Sequence, residues 1–559
     1  MRHGQITTTA ATLARSAEML RGIGYLVAIR LRRDRLTLAI WVVVFGGLWA
    51  AVGAGLGASF DERARTSLVG LIASDPSLRM LRGAPAGTSL GAVMVVSTLA
   101  YLGIAIALMA TFLAVRHTRA DEDAGRTELV RSTPTGRLAP LTATIVAGAI
   151  EVAVVAAALA AGSLAIGLPV EGSALVALGV LLTGLTFLLV GLLAAQTMPT
   201  SRGANGLAAA IAGAAFVVRG IGDALADVGS DLAHVASAWP AWASPIGWIT
   251  QTHPFADSGG WAPSWIPLAL FAPLLAVLVV VVVGLELRRE LGASLVRERG
   301  GRRAAGALLG TPIGLAVRLH RGAAIGWIVA ALVVGLFIGR IAPDAADALA
   351  SNPTLEAFVQ ALGGSSGDTI DAFVHALAGI VALVACAAVL QGATRMRVEE
   401  LAHGEQVLAT RTSRLGWFGA TLGVALVAGV LVMTAFAAAA SASLASADAA
   451  RTGTVVAIAA STLPVLGVYL ALGAVLVALL PGVGAWLGWL LLVVPMLLGE
   501  LAPLFGDGWD WLQDVSPFFH LPDPLAAHPD WSASWWMLAG SAVALALALV
   551  VFRRRDAAV

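Results

Sequence analysis

The segment Arg116–Arg137 concentrates acids and bases: Asp121, Glu122, Asp123 and Glu128 lie among Arg116, Arg119, Arg126, Arg131 and Arg137. Side chains of this kind make ion pairs and charged docking surfaces. The local pattern predicts a short surface helix. Thr118 with Asp121 three residues on resembles a capping box, and the acids fall where a helix dipole favours them. Glu122 and Arg126 are spaced i, i+4, Gly125 lies between them, and Pro134 with Gly136 ends the run. A solvated loop would explain this segment alone, but a second charged stretch, Arg395–Arg414, carries Glu399, Glu400 and Gly404. Three further acids interrupt apolar runs: Glu151, Asp223 and Glu500. Glu151 lies about 12 residues into its run, roughly 18 Å deep, where a carboxylate is costly unless neutral, paired or facing water. It is either a packing residue or a group lining a path for a cationic or hydroxyl-bearing molecule. Asp223 and Glu500 read as acids near the outer ends of their runs, the first beside Arg219. The nine histidines show no i, i+4 pair, so no metal site is expected.

What must position these groups is membrane helix. The composition is 58% hydrophobic and 12% charged, and the mean hydropathy is +0.86, values that exclude an ordinary soluble protein. The net charge of +1 gives no field for nucleic acid. The single Cys386 sits in an apolar run, so no intrachain disulfide forms. Residues from about Arg15 to Ile29 are expected as an amphipathic surface helix. Twelve spans follow, near 36–57, 91–115, 139–167, 173–195, 203–221, 265–286, 323–339, 372–393, 415–441, 453–480, 484–503 and 533–552. Tryptophans near 239–265 and 531–536 suit an interfacial belt. With the N-terminus inside, 28 of the arginines fall in cytoplasmic segments and 7 do not, which places both termini in the cytoplasm.

The chain also repeats itself. Ala28–Arg33 matches Ala316–Arg321, Ser74–Leu78 matches Ser351–Leu355, and Arg119 onward matches Arg397 onward. In both outer copies an Asp or Asn before Pro starts a helix. Six spans per unit is even, so the halves run parallel. The expected divisions are 1–287, an Arg-rich connector at 288–312, and 313–559. All basic residues are arginine. A P-loop needs a lysine on the phosphates, so the chain carries no such nucleotide site.

The ordered set of Glu122, Gly125, Glu128, Pro134 and Arg137, the segment Trp242–Trp248 with His253-Pro254-Phe255, and Gly292–Leu295 resembles ABC-2 type transporter permeases. The likeness is to the fused, double-length kind known as exporters of polyketide antibiotics, and it spans the whole chain. The resemblance implies an all-α type 2 ABC exporter permease fold in the bacterial plasma membrane, with no cofactor of its own. It implies two copies of a cytoplasmic ATPase carrying ATP and Mg²⁺, docked on the loops 116–137 and 395–414. The substrate it implies is a small hydrophobic or amphipathic molecule. The second half departs from the pattern: its loop lacks the proline, and Ser516-Pro517-Phe518 lacks the Gly-Trp. A twelve-span secondary transporter and a membrane-embedded enzyme are the competing classes. The acid-rich loop and the lack of a clustered His, Asp or Cys constellation count against them.

Overall fold

The computed structural model describes residues 18–229, 231–256, 261–290, 292–296, 306–350, 368–445, 449–501 and 511–555. The chain divides into two compact units, Met1–Gly300 and Gly301–Val559, with the division inside the Arg-rich connector. Both are helical. In a bilayer an isolated strand leaves amides without partners, whereas a helix satisfies its own backbone.

Eleven helices among the described residues are long and apolar enough to cross a membrane. In the first unit they are Ile23–Ala58, Leu90–Asp123, Ala139–Ala165, Val170–Thr197, Ser201–Ala224 and Ile266–Arg288. In the second they are Pro312–Pro343, Thr369–Leu408, Arg414–Leu444, Thr452–Leu479 and Ser532–Arg554. The expected span 484–503 is the helix Gly484–Leu501, interrupted by Pro495, with a shorter apolar stretch at Trp486–Met496. We number the spans of each unit one to six in chain order, counting Gly484–Leu501 as the fifth of the second.

Three of the differences from expectation concern the charged segments. The basic N-terminal helix is not a separate surface element where it is described: Ile23 opens the first span itself, so Arg30, Arg32 and Arg33 ride on its first turns. The first charged segment is two helices, Arg119–Asp123 and Arg126–Arg131, rather than one. The second is no loop at all up to Leu408, because the second span of that unit runs unbroken from Thr369 to Leu408.

Spans one and three pack closely in both units. With no hydrophobic drive between helices in lipid, small residues that let backbones approach favour association. In the first unit the span bends through a π-turn, Val43–Gly47, and a Cβ on Gly46 would lie 2.9 Å from the Ala158 carbonyl. Trp49 Nε1 donates to Ser163 Oγ across the same contact, 2.8 Å. In the second unit Gly335 and Gly339 play this part, with Cβ positions 2.6 Å and 2.5 Å from the Phe436 and Ala440 carbonyls. The remaining core is apolar, with Phe187, Leu188 and Ile106 in the first unit and Phe418, Phe436 and fully buried Cys386 in the second.

Outside the spans of the first unit, Asp61 caps the helix Glu62–Ser74 by accepting from Ala64 N. Asp75 precedes the helix Pro76–Arg82, as its Asp-Pro start predicts, and accepts from Leu78 N. The matching segment 351–355 lies outside the described residues.

Candidate functional site

The charged segment of the first unit is shaped by one glycine. Gly125 adopts φ +70°, a left-handed conformation that side chains disfavour, and this breaks the run into its two short helices. Thr118 does not build the expected capping box. It sits in a tight turn, and its hydroxyl donates back to the Ala114 carbonyl at 2.6 Å. The turn at Gly125 also redirects Arg126, which pairs with Asp121 at 2.6 Å instead of Glu122. Asp121 meets Arg33 of the first span as well, at 3.0 Å.

Glu122 is thereby left for a different network. Arg119 Nη1 lies 2.8 Å from Glu122 Oε2, and Arg289, the residue that ends the sixth span, closes on the same carboxylate from the other side. Arg119 is almost fully buried, and it also donates to the carbonyls of Pro199 and Gly292. Asp123 accepts from Ser201 N at 2.7 Å, at the start of the fifth span. Arg137 donates to Leu287 O at 2.7 Å, and Arg131 lies 3.5 Å from Glu286. These groups surround a cavity of about 70 Å³ lined by Arg30, Asp121, Glu122, Arg131, Gln196 and Glu286, among others. The far end of the segment docks on the chain's beginning: Gly136 N donates to Arg21 O and Leu138 N to Met19 O. Glu128 and Leu129, in contrast, are exposed at the tip.

The second unit builds the same clamp on a different scaffold. Arg397 lies 3.0 Å from Glu400, and Arg555, the residue that ends the last span, meets Glu400 at 2.5 Å. Arg555 further donates to Val477 O and stands 5.1 Å over the Phe552 ring. Arg414 donates to the Arg555 carbonyl. Glu399 pairs with Arg395 at 3.0 Å. Gly404 is an ordinary position within the helix. In both units, then, a Glu in the last turns of span two is held by the Arg three residues before it and by the Arg that follows span six. Arg289 and Arg555 share an extended backbone, with ψ of 137° and 138°. The sequence reading missed both. The available signal was an arginine directly after each sixth apolar run.

Glu151, counted along its own helix as a mid-bilayer acid, does not stand alone. It lies with Asp34 of span one and His117 at the end of span two, each offering a donor atom within 4.8 Å of the other two. Depth along one helix says nothing of which neighbours are staggered against it. No sequence spacing links these three residues.

Asp223 is fully buried at the other end of the fifth span. It pairs with Arg219 and accepts from Ser237 Oγ, while Arg219 donates to Met80 O at 2.7 Å. Arg79 donates to the backbone carbonyls of Asp223 and Ala224, both at 3.0 Å. The short helix Pro76–Arg82, which lies outside the spans, is thus fastened to the end of this span. Glu500 belongs to the helix Gly484–Leu501, and its side chain lies outside the described residues. In the first unit, Ser244 donates its hydroxyl to Ala215 O of the fifth span and caps the helix Pro245–Thr250, and Trp248 packs edge-on to Phe271. His253, with φ 45°, packs its ring 4.1 Å from that of Trp261. Burial, and after it the neighbouring His234, pushes its pKa down to about 4. Trp535 and Trp536 are exposed, as an interfacial belt requires.

The family description for the C-terminal domain of the multidrug efflux system permease Rv1217c matches residues 309–553, within the second unit. The chain is also 32% identical over 551 residues to the multidrug efflux system permease protein Rv1217c of Mycobacterium tuberculosis, covering 96% of each chain. With its bilayer-length apolar helices, this is a multi-pass plasma-membrane protein. The chain belongs to the Rv1217c-type family of multidrug efflux system permeases.

Proposed function

We propose that this chain is the membrane subunit of an ATP-driven exporter for hydrophobic or amphipathic compounds. A separate cytoplasmic P-loop ATPase, two copies per chain, binds ATP and Mg²⁺ and supplies the work. The relative's name speaks of multidrug efflux, which supports the substrate class. The chain has no lysine with which to build its own P-loop, so any ATP hydrolysis falls to a partner. Both termini and both charged segments face the cytoplasm, in keeping with the arginine asymmetry. The halves 1–287 and 313–559 each present one docking surface, and the connector 288–312 joins them.

The observation that carries this reading is the repeated clamp. A partner can bias two membrane conformations only through a stiff element that it touches. The clamp ties the end of span two to the end of span six in each unit, so a push at that place is shared by two helices. Glu122 belongs to the interior of this element, and its replacement would damage the element itself. Glu128 and Leu129 are the groups left outward for a partner.

The test uses the full chain in proteoliposomes with its ATPase. Glu128→Arg with Leu129→Arg is expected to leave the purified chain's thermal midpoint unchanged. Substrate-stimulated ATP hydrolysis should fall by about tenfold or more, a coupling change of roughly 1.4 kcal/mol. Substrate movement driven by an ion gradient, in the absence of nucleotide and ATPase, would instead establish a secondary transporter.

A further inference from the structure

Asp34, His117 and Glu151 come from three separate spans and are 1%, 2% and 1% exposed. His117 Nε2 and Asp34 Oδ2 are in hydrogen-bond contact, and Arg116 Nη1 stands 2.8 Å from Asp34 Oδ1. Three side-chain atoms of the cluster make no hydrogen bond: Glu151 Oε1, His117 Nδ1 and Asp34 Oδ1, the last meeting only the Arg116 guanidinium as an ion pair. Buried polar atoms are nearly always satisfied, so each such exception asks for an explanation. The charges ask for one as well. Two carboxylates face one guanidinium here. Arg30 on the same span is spent on the carbonyls of Pro140 and His117, and Arg33 on Asp121.

We propose that Asp34, His117 and Glu151 form a binding site for one divalent transition-metal ion, of which Zn²⁺ is the type. An imidazole nitrogen and two carboxylate oxygens are the borderline donor set that Zn²⁺ accepts. Mg²⁺ and Ca²⁺ prefer six or more oxygens and gain little from the imidazole. Three protein donors leave a position for water or another ligand. The ion balances the carboxylates and exchanges the Asp34–His117 hydrogen bond for bonds to metal. Arg116 holds the remaining Asp34 oxygen in place, as an outer partner does in metal sites. The ion joins spans one and three to the residue that opens the charged segment.

Among the described residues the second unit has no such set. At the offset of 278 that relates Arg119 to Arg397, His117 corresponds to Arg395 and Glu151 to Gly429. One ion per chain is therefore expected.

The experiment takes tag-free, full-length chain in detergent, strips it with a chelator, and titrates it with Zn²⁺ and separately with Co²⁺. One saturable equivalent, a rise in thermal midpoint with Zn²⁺, and the visible absorption of four- or five-coordinate Co²⁺ are expected. Glu151→Gln and His117→Gln should each weaken binding by more than about a hundredfold. Binding that persists in Glu151→Gln would belong to surface histidines and would overturn the site. So would the absence of a saturable equivalent in the unaltered chain. The Co²⁺ spectrum of the unaltered chain decides the matter even where a variant fails to fold: the weak spectrum of a six-coordinate aquo ion overturns the proposal.

Discussion

The two charged segments start from matching residues and end in different shapes. In the first unit Gly125 turns the backbone left-handed, and the chain folds over as two short helices that reach spans one, five and six. In the second unit the helix runs straight to Leu408, and Ser413 caps the next helix a few residues later. The Arg–Glu–Arg clamp survives this change. Its three members depend on the end of span two and the end of span six, and neither position requires the loop between. What the loop adds in the first unit is a tie to spans one and five, through Arg33–Asp121 and Asp123–Ser201. Duplicate halves can therefore keep a common fastening while differing in what they present to solvent.

The largest test of that common fastening is to break each clamp. Arg289→Gln and Arg555→Gln each leave a largely buried carboxylate short of a partner; Glu122 and Glu400 side chains are 10% and 5% exposed. Removing one partner of a buried pair costs about 3 kcal/mol. Both changes should lower the thermal midpoint by similar amounts in detergent. A large loss in one unit with none in the other would show that the clamps are not equivalent.

The outer segments sharpen the contrast by their pH windows. His253 has a folded pKa of about 4, below its ordinary value near 6.5. Between those values the unfolded chain binds the proton and the folded chain does not. Stability contributed by this group is thus complete above pH 6.5 and falls as pH drops toward 4, by about 2 kcal/mol at pH 5. In the second unit Arg451 lies 2.8 Å from Asp368 and 2.9 Å from Asp371, and hydrogen bonding to Arg451 holds Asp368 below the usual carboxylate range. That lock is complete above the ordinary carboxylate pKa and is lost only as pH falls through the lower folded value. Thermal midpoints from pH 7 to 4.5 should therefore fall in the unaltered chain. That fall should flatten in His253→Asn, since Asn tolerates positive φ, whereas Asp368→Asn should lower the midpoint by the same amount across the window and leave its slope with pH unchanged.

The smallest effect is the most diagnostic, because its sign reverses between the units. Gly125→Ala places a Cβ at φ +70° and should cost about 1 kcal/mol. Gly404→Ala fills a helix-interior position whose nearest added contact is 3.8 Å, and should stabilise by about 0.5–1 kcal/mol. Chemical denaturation of the two variants side by side reads both signs.

Much of this was legible in the sequence, for stated reasons. Apolar runs of bilayer length located the spans, but their ends were missed where a helix carries charge beyond its apolar run: Arg30 and Arg33 suggested a surface element and proved to lie on span one, the span expected at 323–339 begins at Pro312, and the one expected at 372–393 runs to Leu408. The charged segment was recognisable, yet its pairings were not. Periodicity matched Glu122 to Arg126, whereas a single left-handed glycine gave Arg126 to Asp121 and released Glu122 to a residue 167 positions away. The second segment's lack of a proline was visible, but Pro134 lies beyond the break at Gly125, so that lack did not foretell the unbroken helix to Leu408. Asp34, His117 and Glu151 could not be brought together from spacing, since three spans must first assemble in register.

One feature of the first unit reaches across the whole membrane. The fifth span is held at one end by Asp123, which accepts from Ser201 N, and at the other by Arg79, Arg219 and Asp223, which fasten it to the short helix Pro76–Arg82. Its 24 residues make a rod of about 36 Å. A rod pinned at both ends behaves as a strut. Tilting the end at Ser201 must drag the anchor at the opposite end, so the helix Pro76–Arg82 registers what happens at the charged segment without any relay of small side-chain movements between them.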